Sequence, residues 1–286
     1  MIKMLEIYNE HWYYDTEKLK FELENNLPIT ICASGSTIPS CFAKSKFIQI
    51  SENTKGLDEH REWFKELAND GTAEHAILNH YLTNNCTIEP ALIKSILLEN
   101  AVKSDKINKL TKAFLSFRKF FIDYNVVPIL CEQSFVNYEL QIGGTRDLVC
   151  EMDNPFQKVK KGETRERIKA LVDYKTGSYS EIPRDYKYQL NLYNLDLKEN
   201  PEFADCKMII VCPKQWRTEP GFNLFEIEEM PKERLLFAID EFYARSTTRA
   251  DVTKEIYDFT KLKTIDNTTD FCLLKNTELN RLLGKK

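Results

Sequence analysis

A carboxylate and an ammonium two residues apart, Asp173 and Lys175, close the run from Ile168 to Gly177. In it Ile168, Ala170, Val172 and Tyr174 alternate with Lys169, Leu171, Asp173 and Lys175, the period of a β-strand that ends in a glycine turn. On such a strand Asp173 and Lys175 project from one face, about 7 Å apart along the backbone. A carboxylate placed this way can hold a hard cation, while the lysine orients a cation-bound water or neutralises developing charge. The same pair is common on solvated strand faces, where it contributes ~0–1 kcal/mol and does no chemistry. Neighbouring residues shift that balance. Asp147 falls in the short apolar run Thr145–Met152, where a carboxylate is unfavourable to bury unless paired or metal-bound. Glu132 belongs to the strand-like run Ile129–Phe135 before it. Gln189 and Tyr193 stand four apart on one face of a helical stretch, with Tyr186 one turn before Gln189. His75 follows Asn69-Asp70-Gly71, in the first turn of a helix that Thr72 can cap. The positive potential of a helix start disfavours an imidazolium and keeps a ring nitrogen free for a metal.

The elements that must position these groups read as an α/β chain. The first thirty residues suggest an aromatic-rich helix, and Pro28 to Ile50 irregular or short extended structure. Helical periodicity runs from Leu57 to a break at Asn69-Asp70-Gly71, then over Thr72–Asn84, Pro90–Ala101 and Asp105–Tyr124. Strands are expected at Val127–Val136, Tyr138–Ile142 and Thr145–Met152, the last two joined by a Gly143-Gly144 turn. After the central strand come a helix from Pro183 to Lys198, strands Lys207–Cys212 and Phe222–Ile227, and a helix over Lys232–Arg245. The tail from Thr247 has weak periodicity and is either a docked or a loose extension. Helices followed by strands, a helix and further strands imply a mixed sheet.

With 286 residues and a formal net charge of −4, the chain is not a generally basic polyanion binder, so any nucleic-acid grip must be a local patch. One candidate is the series Lys103, Lys106, Lys109 and Lys112, opposite the apolar stripe Ile107, Leu110, Phe114 and Phe117. A solvated face and a phosphate-tracking ridge both fit it. Another is the polar stretch Asp153–Arg167, a loop or insertion that concentrates Lys158, Lys160, Lys161, Arg165 and Arg167. The start lacks a cationic segment followed by an apolar one, and Met208–Cys212 is far below membrane-spanning length. A cytoplasmic setting with no membrane partner is expected. Eight cysteines are scattered without C-x-x-C spacing, which suits reduced thiols packed as small apolar residues.

Taken together, four segments resemble the motifs of the PD-(D/E)xK nuclease superfamily in its RecB-type exonuclease branch, over roughly residues 71–245. The helical G-T-x-x-H motif stands as Gly71-Thr72-Ala73-Glu74-His75, and G-x-x-D-L-V as Gly144 to Val149. D-x-K-T-G stands as Asp173 to Gly177, and Q-x-x-x-Y as Gln189 to Tyr193. The arrangement looks most like the mitochondrial genome maintenance exonucleases and their phage and bacterial relatives, whose acidic residue on the strand before the catalytic Asp matches Glu132.

The resemblance implies a restriction-endonuclease-like mixed central β-sheet flanked by helices. It divides the chain into an N-terminal helical region (1–125) supplying His75, a nuclease core (126–246) and a C-terminal extension (247–286). It implies a DNA exonuclease dependent on Mg²⁺ or Mn²⁺, acting on single-stranded or resected DNA with free ends, beside replication, recombination or repair proteins. Asp147, Asp173, the Tyr174 carbonyl and His75 would hold the metal. Lys175 would position or help deprotonate the water, Glu132 would hold a second ion or order water, and Gln189 and Tyr193 would fix the lysine or the phosphate. Lys106, Lys109, Lys112, Lys160 and Arg165 would contact DNA. A structure-specific endonuclease and a non-cleaving DNA-binding member are the alternatives. An iron–sulfur cluster, found in some relatives, is not expected, since Cys86, Cys206, Cys212 and Cys272 lack the short spacings of thiolate ligands.

Overall fold

A mixed eight-stranded sheet organises the chain, and the computed structural model describes residues 1–7, 10–42, 57–160, 162–177 and 179–263 around it. The chain opens with an antiparallel pair, β1 (Ile2–Ile7) and β2 (Glu10–Asp15), in register from Ile2–Asp15 to Ile7–Glu10. This corrects the expectation of a helix over the first thirty residues. Leu5 and Ile7 alternate into the core, but Trp12, Tyr13 and Tyr14 are all buried, so β2 is covered on both faces. A strand buried on both faces loses its period of two and cannot be told from a buried helix by pattern alone. The helix comes next, as α1 (Thr16–Glu24), where the Asp15 carboxylate accepts the backbone N–H groups of Glu17 and Lys18 at 2.9 and 3.1 Å. Strand β3 (Cys32–Ser34) and a 3₁₀ turn at Ile38–Cys41 follow, within the stretch read as irregular or short extended structure, of which residues 43–50 lie outside the described residues.

Three helices come next: α2 (Leu57–Thr83), α3 (Pro90–Glu99) and α4 (Ile107–Asp123). The break expected at Gly71 does not occur. Helix α2 runs through it for 27 residues, and the Thr72 hydroxyl donates to the Ala68 carbonyl at 3.0 Å instead of capping a new helix. A glycine inside a helix costs only ~1 kcal/mol, which packing of the apolar face outweighs.

Strands β4 (Val127–Asn137) and β5 (Ile142–Asp153) form a long antiparallel hairpin. No separate strand covers Tyr138–Ile142, because 138–141 are the hairpin turn, and Gly143 and Gly144 lie inside β5. Their lack of a side chain serves packing: a Cβ on Gly143 would meet Tyr13 Cβ at 2.6 Å and its ring at 3.0 Å, and one on Gly144 the Tyr193 ring at 2.4 Å. Then come β6 (Arg167–Tyr174), α5 (Arg184–Leu197), β7 (Lys207–Pro213), β8 (Phe222–Ile227), α6 (Lys232–Arg245) and α7 (Thr248–Lys263). Within the tail read as docked or loose, α7 is docked, with Val252 and Ile256 in the core.

The sheet order is β1-β2-β3-β5-β6-β7-β8, with β4 along the other side of β5; β3–β5 and β6–β7 are parallel and the other pairs antiparallel. Strand β7 is buried along almost its whole length, as a parallel strand covered on both faces must be. Helices α1, α5, α6 and α7 close one face over a core that includes Trp12, Tyr14, Leu190 and Ile210. Helices α2, α3 and α4 close the other over Phe117, Phe120, Val172 and Ile209. The N-terminal strands and the later core thus share one sheet. Among the described residues no helix is long and apolar enough to cross a membrane.

Candidate active site at a split in the sheet

Strand β5 changes partners along one side. It pairs with β3 at Ile142 and Gly143, and with β6 only from Leu148 onward. Residues 144–147 face the gap between. Asp147 and Asp173 both sit one residue beyond the Leu148–Val172 pair, where β5 and β6 part. The Asp147 Oδ2 fills this fork by accepting the Tyr174 backbone N–H at 2.8 Å, which fixes the carboxylate and leaves Oδ1 free for other partners. Across β5, Glu132 adopts a left-handed backbone at φ 46°. That conformation is unfavourable by ~1–2 kcal/mol for a residue with a Cβ, and such strain tends to persist where the surroundings enforce it for function.

The two distortions bring distant residues together. His75, in the middle of α2, places Nδ1 3.0 Å from Glu132 Oε1 and 3.4 Å from Asp147 Oδ1. One atom from each of the three lies within 4.8 Å of the other two. On the α5 side of the fork, Lys175 Nζ lies 3.0 Å from Asp173 Oδ1, 2.9 Å from its Oδ2 and 3.2 Å from Gln189 Oε1. Gln189 returns to Asp173 Oδ1 through Nε2 at 3.4 Å. Only the Oδ1 contact has hydrogen-bond geometry, so among the described residues Asp173 Oδ2 is a buried carboxylate oxygen without a hydrogen-bond donor.

Burial and mutual charge set the electrostatics. Burial pushes Asp147 up from the usual carboxylate range; the positive groups of His75 and Lys175 oppose this, and the Glu132 charge reinforces it. Burial likewise raises Asp173 to about 6 against the pull of Lys175, with Asp147 adding to the rise. For His75, burial favours the neutral ring, but Asp147 and Glu132 together outweigh it and raise the pKa to about 9. His75 is therefore not held neutral by a helix start, as its sequence position suggested: it lies well inside α2 and its field comes from two carboxylates. Burial also works against the Lys175 ammonium, yet Asp173 and Asp147 hold it protonated, above its ordinary range.

The donor set suits a small divalent cation. Octahedral bonds of about 2.1 Å put neighbouring ligand atoms about 3 Å apart, close to the 3.0 and 3.4 Å that separate His75 Nδ1 from Glu132 Oε1 and Asp147 Oδ1. Two carboxylates and an imidazole are hard-to-borderline ligands of the kind Mg²⁺ and Mn²⁺ take, and the donor-less Asp173 oxygen is one more acceptor nearby.

Other residues singled out in the sequence play different parts. Tyr193 is a core residue: its ring packs on Gly144, Gly35 and Phe135, and its hydroxyl lies 3.3 Å from Ser34 Oγ. It forms the wall beside the fork. The Tyr174 ring lies against His75, Phe117 and Phe121, supporting the histidine from the α4 side. Lys106 is held by Glu66 at 3.2 Å and Asp70 at 3.0 Å, ion pairs that tie α4 to α2. Lys160 and Arg165 sit in the β5–β6 loop, some six strand residues and about 20 Å from the fork. Arg146, which strict alternation would put on the same face as Leu148 and Cys150, points to the α5 side; it is buried over Phe135, with Gln133 and Asp196 as partners. Cys206 and Cys212 stand near opposite ends of β7, about 20 Å apart, and Cys272 lies outside the described residues. The sequence did not flag Ser34, at the rim through Tyr193, and gave no role to Tyr186, whose ring has Lys175 Nζ 4.3 Å from its centre. Ser34 sits in a three-residue strand with no periodic signal; Tyr186 had only its helical spacing to Gln189. No protein-family model matches the chain, and comparison with curated proteins gives no match either.

Proposed function

We propose that this chain is a Mg²⁺- or Mn²⁺-dependent deoxyribonuclease, an exonuclease hydrolysing phosphodiester bonds from the ends of single-stranded or resected DNA. One observation carries the reading. His75, Glu132, Asp147, Asp173, Lys175 and Gln189, drawn from α2, β4, β5, the end of β6 with the residue after it, and α5, meet where the sheet forks. A surface charge cluster needs no fork, no strained Glu132 backbone and no buried lysine between two layers.

When bound, the cation acts as a Lewis acid and lowers the pKa of its water. The Tyr174 N–H keeps Asp147 turned toward His75 and Glu132, so these three ligand atoms stay preorganised. Asp173 and Gln189 hold the Lys175 ammonium at the fork, where it meets the charge that grows on the phosphate oxygens during hydrolysis. Gln189 is a positioning residue, and Tyr193 shapes the wall. The free thiols among the described residues fit a reducing, cytoplasmic setting, and action beside replication or recombination proteins follows from the substrate.

The test is a time course on end-labelled linear and on circular DNA with Mg²⁺, Mn²⁺ or excess chelator. Asp173→Asn and Lys175→Ala should each lower cleavage by about a hundred- to a thousandfold, the scale at which removing one transition-state contact acts. Near wild-type turnover in either variant, or in chelator, refutes the assignment. Cleavage of circular DNA at the linear rate makes the enzyme an endonuclease instead.

A further inference from the structure

A cavity of about 560 Å³ opens beside the fork, between α4 and the β7–β8 connection. Its walls include Lys109, Lys112, Thr176, Gly177, Lys214 and Trp216. Thr176 and Gly177 directly follow Lys175, so the cavity lining begins one Cα step, 3.8 Å, past the lysine backbone. Among the described residues none of Lys109, Lys112 and Lys214 forms an ion pair; Asp105, at the rim, is the acidic residue of the lining. The basic series along α4 is thus divided: Lys103 and Lys106 are tied to α2 by Glu66 and Asp70, while Lys109 and Lys112 face the cavity.

Trp216 holds this arrangement in place. Its indole N–H donates to Ser116 Oγ at 3.0 Å and to the Lys112 carbonyl at 3.3 Å, and Lys112 Nζ lies 5.2 Å from the ring centre. The β7–β8 connection is thereby pinned to α4, and an aromatic ring joins three lysines in the wall. In an otherwise acidic chain, unpaired cations beside an aromatic ring form a site for a polyanion with flat bases.

We propose that this groove holds the single-stranded nucleic-acid backbone next to the phosphate at the carboxylates, with Lys109, Lys112 and Lys214 against successive phosphates. The proposal rests on the nuclease reading for its substrate class, and the volume narrows that class. About 560 Å³ is the size of a small-ligand pocket, room for on the order of one or two nucleotides of one strand. A duplex is too wide to enter and would lie across the mouth.

The experiment is equilibrium binding of a fluorescein-labelled oligothymidylate to the full chain in Ca²⁺, across a salt series. The variants are Lys109→Glu with Lys214→Glu, both at exposed positions, and Lys232→Glu on α6, across the sheet, as the charge-matched control. The double variant should bind at least tenfold more weakly at low salt, and its slope of log affinity on log salt should fall by about 1.4, or ~0.7 per lost phosphate contact. The control should match wild type. Equal slopes for the double variant and the control overturn the proposal, as does failure of the wild type to bind. An equal loss on blunt duplex overturns its single-strand part. If the double variant loses binding but the wild type cuts no DNA with Mg²⁺, the groove stands and the nuclease reading falls; intact cleavage with an unchanged slope is the reverse.

Discussion

Glu74, the chain neighbour of His75, offers a quantitative test of how the site is buried. Its side chain is fully inaccessible, and among the described residues neither carboxylate oxygen has a hydrogen-bond partner. Burial raises its pKa from 4.5 to about 8, with the positive field of His75 opposing and Asp70 adding to the rise. The folded chain therefore holds a proton on Glu74 across a window in which the unfolded chain has released it. Between pH 4.5 and 8 the unfolded state binds fewer protons, so stability falls as pH rises, by about 1.4 kcal/mol per unit from this group. Below pH 4.5 both states are protonated and the effect vanishes. Glu74→Gln keeps the shape and removes the proton, leaving a constant offset and abolishing the slope. From pH 5 to pH 7.5 the variant should thus gain about 3 kcal/mol relative to wild type. Urea denaturation at several pH values in excess chelator measures this difference, and the subtraction cancels the titrations of Asp173 and His75. Parallel stability profiles for the two proteins would refute the reasoning, because they mean Glu74 is already ionised in the folded chain.

Two glycines separate packing from helix propensity. Gly144→Ala places a methyl 2.4 Å from the Tyr193 ring and should destabilise by ~1–3 kcal/mol, whereas Gly71→Ala, with open space around it inside α2, should stabilise by ~0.5–1 kcal/mol. Thermal melts moving the same way in both variants would contradict this geometry. His75→Ala should weaken Mn²⁺ binding in calorimetry at least tenfold, while His80→Ala, five residues on and without a carboxylate partner at the fork, should bind as wild type does. Equal titrations for the two would remove His75 from the metal set.

The central and C-terminal elements were legible because local pattern and tertiary environment agree there. Helices α4, α5 and α6 and strands β7 and β8 fall within one or two residues of their expected spans. Each presents one apolar stripe or one continuous buried run, and the two cores simply accept them. Where burial comes from both sides, pattern fails. Trp12, Tyr13 and Tyr14 are covered in succession, so β2 lost the alternation that marks a strand. Gly143 and Gly144 carry turn chemistry in any sequence reading, yet here they admit the rings of Tyr13 and Tyr193, one from a strand and one from a helix far away in the chain. No local signal reports a neighbour 49 residues downstream of Gly144.

The candidate site follows the same division between residue type and environment. Asp173 and Lys175 were readable as a same-face pair, since a strand of period two fixes their direction whatever surrounds it. Asp147, Glu132 and His75 were readable as types, but their mutual arrangement depends on a sheet that splits. The fork arises because β5 gives its first residues to β3, more than a hundred residues earlier in the chain, and its last to β6, the next strand. That choice also reverses the expected state of His75. A histidine at a helix start would be held neutral by the helix, whereas one aimed from mid-helix into a gap between two carboxylates is held charged by them. The same two carboxylates that bind the imidazolium are then the groups a cation must win. If this centre holds a metal as proposed, His75 would have to give up a proton to ligate it, so affinity should rise as pH approaches 9.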